Sequence, residues 1–163
     1  MSDKKPSGLE DVVVAESSIC YIDGKRGQLV YRGYDIDDLA ENASFEEVAY
    51  LLWNGHLPSQ SELDELKAEI HAAMHFPKHL LDLLKNLPFD AQPMRVLSMA
   101  TAALGILDPD ADDMSPAANR KKAINLMAQL PIITCAWHHI RNGTLMPSPK
   151  PDKSLAYNFL WLL

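Results

Sequence analysis

Residues 23–57 read DGKRGQLVYRGYDIDDLAENASFEEVAYLLWNGHL, and this stretch decides the fold. Asp23 to Gly27 is a turn composition, and Gln28 to Tyr31 follows as a short alternating strand. Gly33 breaks it. Asp35 is placed to cap a helix over Ile36–Asn42, because its carboxylate can accept a free first-turn amide. Ser44 with Glu47 three residues on is a capping-box pattern. It predicts a second helix with Phe45, Val48, Ala49 and Leu52 on one apolar face. Gly55 is the expected stop.

Upstream, Val12 to Ala15 and Ile19 to Ile22 have strand composition, so a small hairpin is expected to turn at Asp23–Gly27. It should lie on the helices, since a hairpin this short is marginal alone. Residues 1–8 read as a flexible arm and residues 9–163 as one domain. Downstream the pattern is helical. Ser59 and Glu62 repeat the capping box, and Leu63, Leu66, Ile70, Ala73 and Met74 form a stripe that Pro77 should end. Leu80, Leu81, Leu84 and Leu87 give a short helix from Lys78 to Leu87.

The segment Pro93 to Leu107 differs, because Arg95, Ser98 and Thr101 are its only polar side chains. A helix apolar nearly all round has to be covered on all sides. One chain of 163 residues can hardly supply that cover, so another subunit or further sequence is expected against it. Ser115-Pro116 starts a long helix to Asn142, with proline at its first position. Ala123, Ile124, Met127, Ala128 and Leu130 form its face, and Ile132 to Trp137 are nearly all apolar. Pro131 should kink it, and Gly143 should stop it. A proline-rich loop, Pro147 to Pro151, leads to a last helix from Ser154.

Composition excludes more than it assigns. Fifteen basic residues against 22 acidic give a net charge of −7, which argues against nucleic acid as a partner. No apolar run reaches the ~18–20 residues of a membrane span. Residues 1–12 carry no apolar signal core, so a cytoplasmic location is expected. Cys20 and Cys135 read as two free thiols in a reducing compartment.

Three groups of residues hint at chemistry. His71, His75 and His79 are spaced by four, as zinc ligands on a helix can be, but Pro77 interrupts them. Cys135, His138 and His139 lack a second ligand pair. Asp108 to Asp113 opens like a calcium loop, then has Asp113 where glycine is needed and Asn119 where a bidentate glutamate is needed. Helix faces and an acidic loop are the better readings. Lys25, Arg26 and Arg32 are too sparse to form an anion site. The chain contains no glycine-rich phosphate loop and no nucleophile elbow.

The blocks YRGYDI and FEEVAYLLWNG, in this order, resemble the citrate synthase family, including 2-methylcitrate synthase. The resemblance runs from about Gly8 to Leu163. It implies a mainly α fold, the N-terminal part of the family's large helical domain, with a small N-terminal β-hairpin. It implies an acyltransferase that condenses acetyl-CoA with oxaloacetate by acid–base chemistry through an enol, in the tricarboxylic acid cycle, with no metal and no other cofactor. The alternative substrate is propionyl-CoA. The family's catalytic histidines, aspartate and arginines lie in HGG, GHR and Asp-Phe-Tyr segments, none of which occurs in these 163 residues. The segment WHHIRNG, residues 137–143, is not one of them. Accordingly no catalytic, cofactor-binding or metal residue is assigned, and the chain is expected to be inactive alone. The resemblance also implies a homodimer built through helices at about Met94–Leu107 and Ser115–Asn142. Leu97 and Ile133 are the expected contact residues. A reading of another class, a non-catalytic helical interaction module, would need a capped or polar C-terminus, and the apolar Trp161-Leu162-Leu163 ending argues for a cut chain.

Overall fold

The computed structural model describes residues 15–163. The expected arm over residues 1–8 lies outside them, as does the strand expected at Val12–Ala15 apart from Ala15, which is not in a strand. Among the described residues, three short strands, β1 (Cys20–Asp23), β2 (Gln28–Tyr31) and β3 (Tyr34–Asp35), precede seven helices. These are α1 (Ile36–Asn42), α2 (Phe45–Asn54), α3 (Gln60–Ala73), α4 (Lys78–Lys85), α5 (Pro93–Leu107), α6 (Pro116–Asn142) and α7 (Leu155–Leu162). The mainly α reading with a small N-terminal hairpin therefore holds.

The chain divides into two compact units. The first, up to Ser44 plus Val48–Leu57, holds the sheet, α1 and most of α2. Its strands are antiparallel in the order β1-β2-β3. The first hairpin turns at Asp23, whose carboxylate accepts from the amides of Lys25 and Arg26. The second was not expected from sequence. Val30 pairs with Asp35 and Tyr31 with Tyr34. That register leaves Arg32-Gly33 as a two-residue loop in which both residues have positive φ, 48° and 93°. A loop with φ positive at both positions matches the twist of the flanking strands. Arg32 occupies a strained region for a non-glycine residue. Its guanidinium compensates by donating to the Leu52 carbonyl from Nε and Nη2, at 3.3 and 3.0 Å, and to Ser18 Oγ at 2.7 Å. Asp35 caps α1 as expected, accepting from the Asp37 amide.

The apolar face expected on α2 is corrected. Phe45 is exposed, and Val48, Ala49 and Leu52 are only half-buried. The residues fully enclosed are Leu51, in the first unit, and the carboxylate-bearing Glu46, which belongs with the second.

The second unit is Phe45–Glu47 and Pro58–Leu163. The Ser59–Glu62 capping box is complete, and Leu63, Leu66, Ile70 and Ala73 of α3 are buried. Pro77 is the N-cap of α4 rather than the last residue of α3, which closes at Met74. The helix expected to run to Leu87 ends at Lys85. The long α6 is the spine: α3, α4, α5 and α7 all pack against it. Leu80 and Leu84, Val96 and Ala100, and Ile133 and Trp137 form one apolar cluster across α4, α5 and α6. Ile132, Cys135 and Leu162 form another between α6 and α7. Ser115 caps α6, accepting from the Ala118 amide, and Gly143 ends it in the left-handed region. Pro131 removes one backbone donor, yet α6 is continuous from Pro116 to Asn142. The chain thus stays helical on both sides of the proline.

Candidate functional site

Helix α5 is the anomaly in the second unit. Its mid-helix residues Val96 and Ala100 are buried, at 3% and 0% exposure. Leu97, Met99, Ala103 and Leu104 are partly buried against the same cluster, whereas Met94 is 65% exposed, Ile106 85% and Leu107 43%. The full enclosure expected from its composition is thus not provided by the described residues. Met94, Leu97, Ser98, Thr101 and Ala102, with Leu130 of α6, line a surface groove of about 510 Å³. The small residues along it let another helix approach closely. Thr101 turns its hydroxyl back to the Leu97 carbonyl at 2.8 Å, so even this polar side chain presents its methyl group.

Ile133, expected beside Leu97 at the contact, sits elsewhere. It is 1% exposed and inside the cluster shared by α4, α5 and α6. Its run of apolar neighbours on α6 wraps round a helix that is packed on several sides, so sequence could not tell core from contact.

Where α5 meets the following loop, a second cavity of about 380 Å³ opens between α5, α6 and the end of α3. Its walls include Leu104, Leu126, His75, Asn125 and Gln129. Its two lysines are already engaged. Lys121 pairs with Asp110 at 2.7 Å, and that carboxylate raises the lysine's pKa. Lys122 donates to the carbonyls of Ala111 and Asp113 at 3.0 and 2.6 Å.

The structure disperses the chemistry-bearing residues named from sequence. His71 Nε2 meets the Lys153 carbonyl at 2.8 Å, His75 faces the second cavity, and His79 is on α4. His139 bonds Thr144 Oγ1 at 2.7 Å through Nδ1 and the Leu162 carbonyl at 2.8 Å through Nε2. A carbonyl can only accept, so Nε2 carries the proton in both rings and neither offers that nitrogen to a metal. Burial pushes the Cys135 thiol up to about 11, which keeps it protonated. In the acidic loop, Asp108 caps the Asp110 amide and Asp113 accepts from the Ser115 amide. The Ser115 bonds hold the Asp113 carboxyl below its usual range. Arg26 reaches Asp23, and Arg32 is consumed by its own hairpin and α2. Among the described residues, no three His, Cys, Asp or Glu side chains come together as a metal site would require. Nor is any helix there long and apolar enough to cross a membrane.

The family model for the citrate synthase C-terminal domain matches residues 8–163. The chain belongs to the citrate synthase family. Citrate synthase 2 of Bacillus subtilis is 43% identical over 157 residues, covering 96% of this chain and 42% of that protein. The 2-methylcitrate synthase of Mycobacterium tuberculosis is 40% identical over 161 residues, covering 97% and 40%. Among solved structures, citrate synthase from Thermoplasma acidophilum superposes with a TM-score of 0.86 at 27% identity. That match covers 98% of this chain and 42% of that one, and the solved structure is a ternary complex with carboxymethyl coenzyme A and oxaloacetate. The chain therefore spans about two fifths of the length of the citrate synthases it matches. The YRGYDI block is the Arg32-Gly33 hairpin, and FEEVAYLLWNG is α2, so the two segments that resemble the family are both ordered structural elements.

Proposed function

We propose that these residues form the scaffold and subunit-contact part of a citrate synthase-type acyltransferase. The whole protein condenses acetyl-CoA with oxaloacetate and releases citrate and CoA. The matched model bears the words C-terminal domain. Placement of this chain in the N-terminal part of the large helical domain rests instead on its motif order, with YRGYDI and FEEVAYLLWNG present and the histidine- and arginine-bearing catalytic motifs not among its residues.

The observation that carries the reading is the uncovered α5 face. A soluble domain rarely leaves a large contiguous apolar patch without a partner. Here Met94, Leu97 and Ala102 beside Leu130 make a groove that suits a helix of a second copy. In a homodimer the same patch serves both subunits by two-fold symmetry. The chemistry follows from family membership and from the ligands of the T. acidophilum complex. We place the protein in the cytoplasm, on the strength of its two free cysteines.

The test is a thiol-release assay with acetyl-CoA and oxaloacetate. The 163-residue chain should give no turnover above a blank. The longer protein that carries it should form citrate. Turnover by the short chain, or none by the long protein, would refute the assignment. The same assay with propionyl-CoA addresses the second reading, favoured by the M. tuberculosis relative. A preference for propionyl-CoA would make the enzyme a 2-methylcitrate synthase.

A further inference from the structure

The cavity between α5, α6 and the end of α3 is lined by polar groups that the fold itself does not use. Gln129 of α6 is 6% exposed and forms part of its wall. Its Nε2 reaches the Ala73 carbonyl only at 3.5 Å, and that carbonyl already accepts the His75 amide at 2.8 Å. Its Oε1 has no donor among the described residues. Buried side-chain polar atoms are normally paired. Asn125 stands one turn earlier on the same wall, and its side chain and the His75 ring make no hydrogen bond among the described residues either. The charged groups, by contrast, are occupied. Lys121 is held by Asp110, Lys122 by two carbonyls, and Asp108 by the Asp110 amide. Leu104, Leu107 and Leu126 supply apolar walls, and Gly105 lines the cavity without a side chain. A Cβ at Gly105 would meet no atom within 4 Å, so a flat molecule has room against the backbone there. One water could satisfy Gln129 alone, but the cavity holds about 380 Å³. Mostly apolar walls with a few convergent polar groups are the usual composition of a small-molecule site.

We propose that this cavity binds a small, flat, uncharged molecule with a cyclic-amide edge, a ring N–H beside a carbonyl. Gln129 Oε1 accepts the ring N–H, and Asn125 Nδ2 donates to the carbonyl. A side-chain amide carries both an acceptor and donors, and two of them one helical turn apart present both to one ligand edge. The leucines cover the apolar body of the ring system. A charged ligand is disfavoured, because every charged side chain in the wall already has a partner.

The probe is isoquinolone, an unsubstituted bicyclic lactam, and its N-methyl derivative is the control. Saturation-transfer NMR is run on the 163-residue chain and on the longer protein that carries it. Both should show saturable binding of isoquinolone with a Kd of about 1 mM or tighter. The N-methyl derivative has no N–H to give Gln129 and should bind about tenfold more weakly or worse. Gln129→Leu should weaken isoquinolone binding by a similar factor. It should leave the melting point unchanged or raised, because the Ala73 carbonyl keeps the His75 amide and a poorly paired polar group is removed from the interior. Failure of isoquinolone to saturate on either protein would overturn the proposal. Equal binding of the two compounds would do the same, since the cavity would then be reading apolar shape alone. So would full binding by Gln129→Leu, or a melting point lowered by this change, which would show that Gln129 is already paired within the fold. Asn125→Leu, at a half-buried position, should also weaken isoquinolone about tenfold, and unaltered binding by this variant would overturn the proposal independently.

Discussion

Replacing Asn158 by alanine should destabilise the second unit far more than its small size suggests. Asn158 has no exposed surface. Its Oδ1 accepts the Lys150 amide at 2.7 Å, and its Nδ2 donates to the carbonyls of Lys150, Lys153 and Ser154 at 2.9, 3.2 and 3.1 Å. All three of these acceptors keep other partners after truncation. The Lys153 carbonyl retains His71, the Ser154 carbonyl retains the Asn158 amide, and the Lys150 carbonyl retains the Lys153 amide. The Lys150 amide alone would lose its partner. A buried polar group left unsatisfied costs about 1–3 kcal/mol, and Lys150 is half-buried, so the low end applies and the loss is about 1–2 kcal/mol. At about 2–4 °C per kcal/mol for a chain of this size, the melting point should fall by about 2–8 °C. Urea unfolding followed by far-ultraviolet circular dichroism measures the change. Asn158→Leu separates bonding from packing, because leucine fills similar space and makes none of the bonds. It should lose about as much as alanine. An Asn158→Ala change within about 0.5 kcal/mol of the parent, the usual scatter of neutral surface substitutions, would refute the reasoning. So would recovery of stability by leucine.

Two further outcomes are expected. Ile133→Asp places a charge in the closed α4–α5–α6 cluster and should abolish cooperative folding. Leu97→Asp, on the groove, should leave the circular dichroism of the chain intact, and unfolding by both variants would count against the groove as a free surface. The second outcome concerns alkaline pH. The Cys135 thiol is raised from 9.0 to about 11 by burial. Between those values the unfolded chain holds fewer protons than the folded one, so stability should decline as pH rises from about 9 towards 11. Cys135→Ala should flatten that decline relative to its own neutral-pH stability, and equal slopes for both proteins would show that the thiol is not responsible.

Much of this fold could be read from local chemistry. Caps at Asp35, Ser59 and Ser115 and the stop at Gly143 each act within a few residues, and each appears where the sequence put it. The second hairpin was missed because it needs Arg32 at positive φ, and what holds Arg32 there is the distant carbonyl of Leu52. Glu46 was missed for the same reason. Next to Phe45 in a helical pattern, a glutamate reads as solvent-facing, and only the arrival of α7 from more than a hundred residues away makes it the buried partner of the Leu155 amide. The unusual composition of α5 was legible as a demand for cover. Which of its neighbours on α6 answered that demand was not, because Ile133 and Leu130 look alike in sequence while one is core and the other lines the groove. The histidines could be set aside from spacing alone, but their use as carbonyl clasps depends on loops that sequence periodicity does not place.

The uncovered α5 face as a subunit contact is tested most directly by sedimentation equilibrium across a wide concentration range. The parent chain should associate reversibly to a dimer. Leu97→Asp should shift it to monomer, whereas Glu65→Lys, on the solvent side of α3, should not. A parent chain that stays monomeric at every concentration, or a Leu97→Asp chain that dimerises as the parent does, would contradict the account.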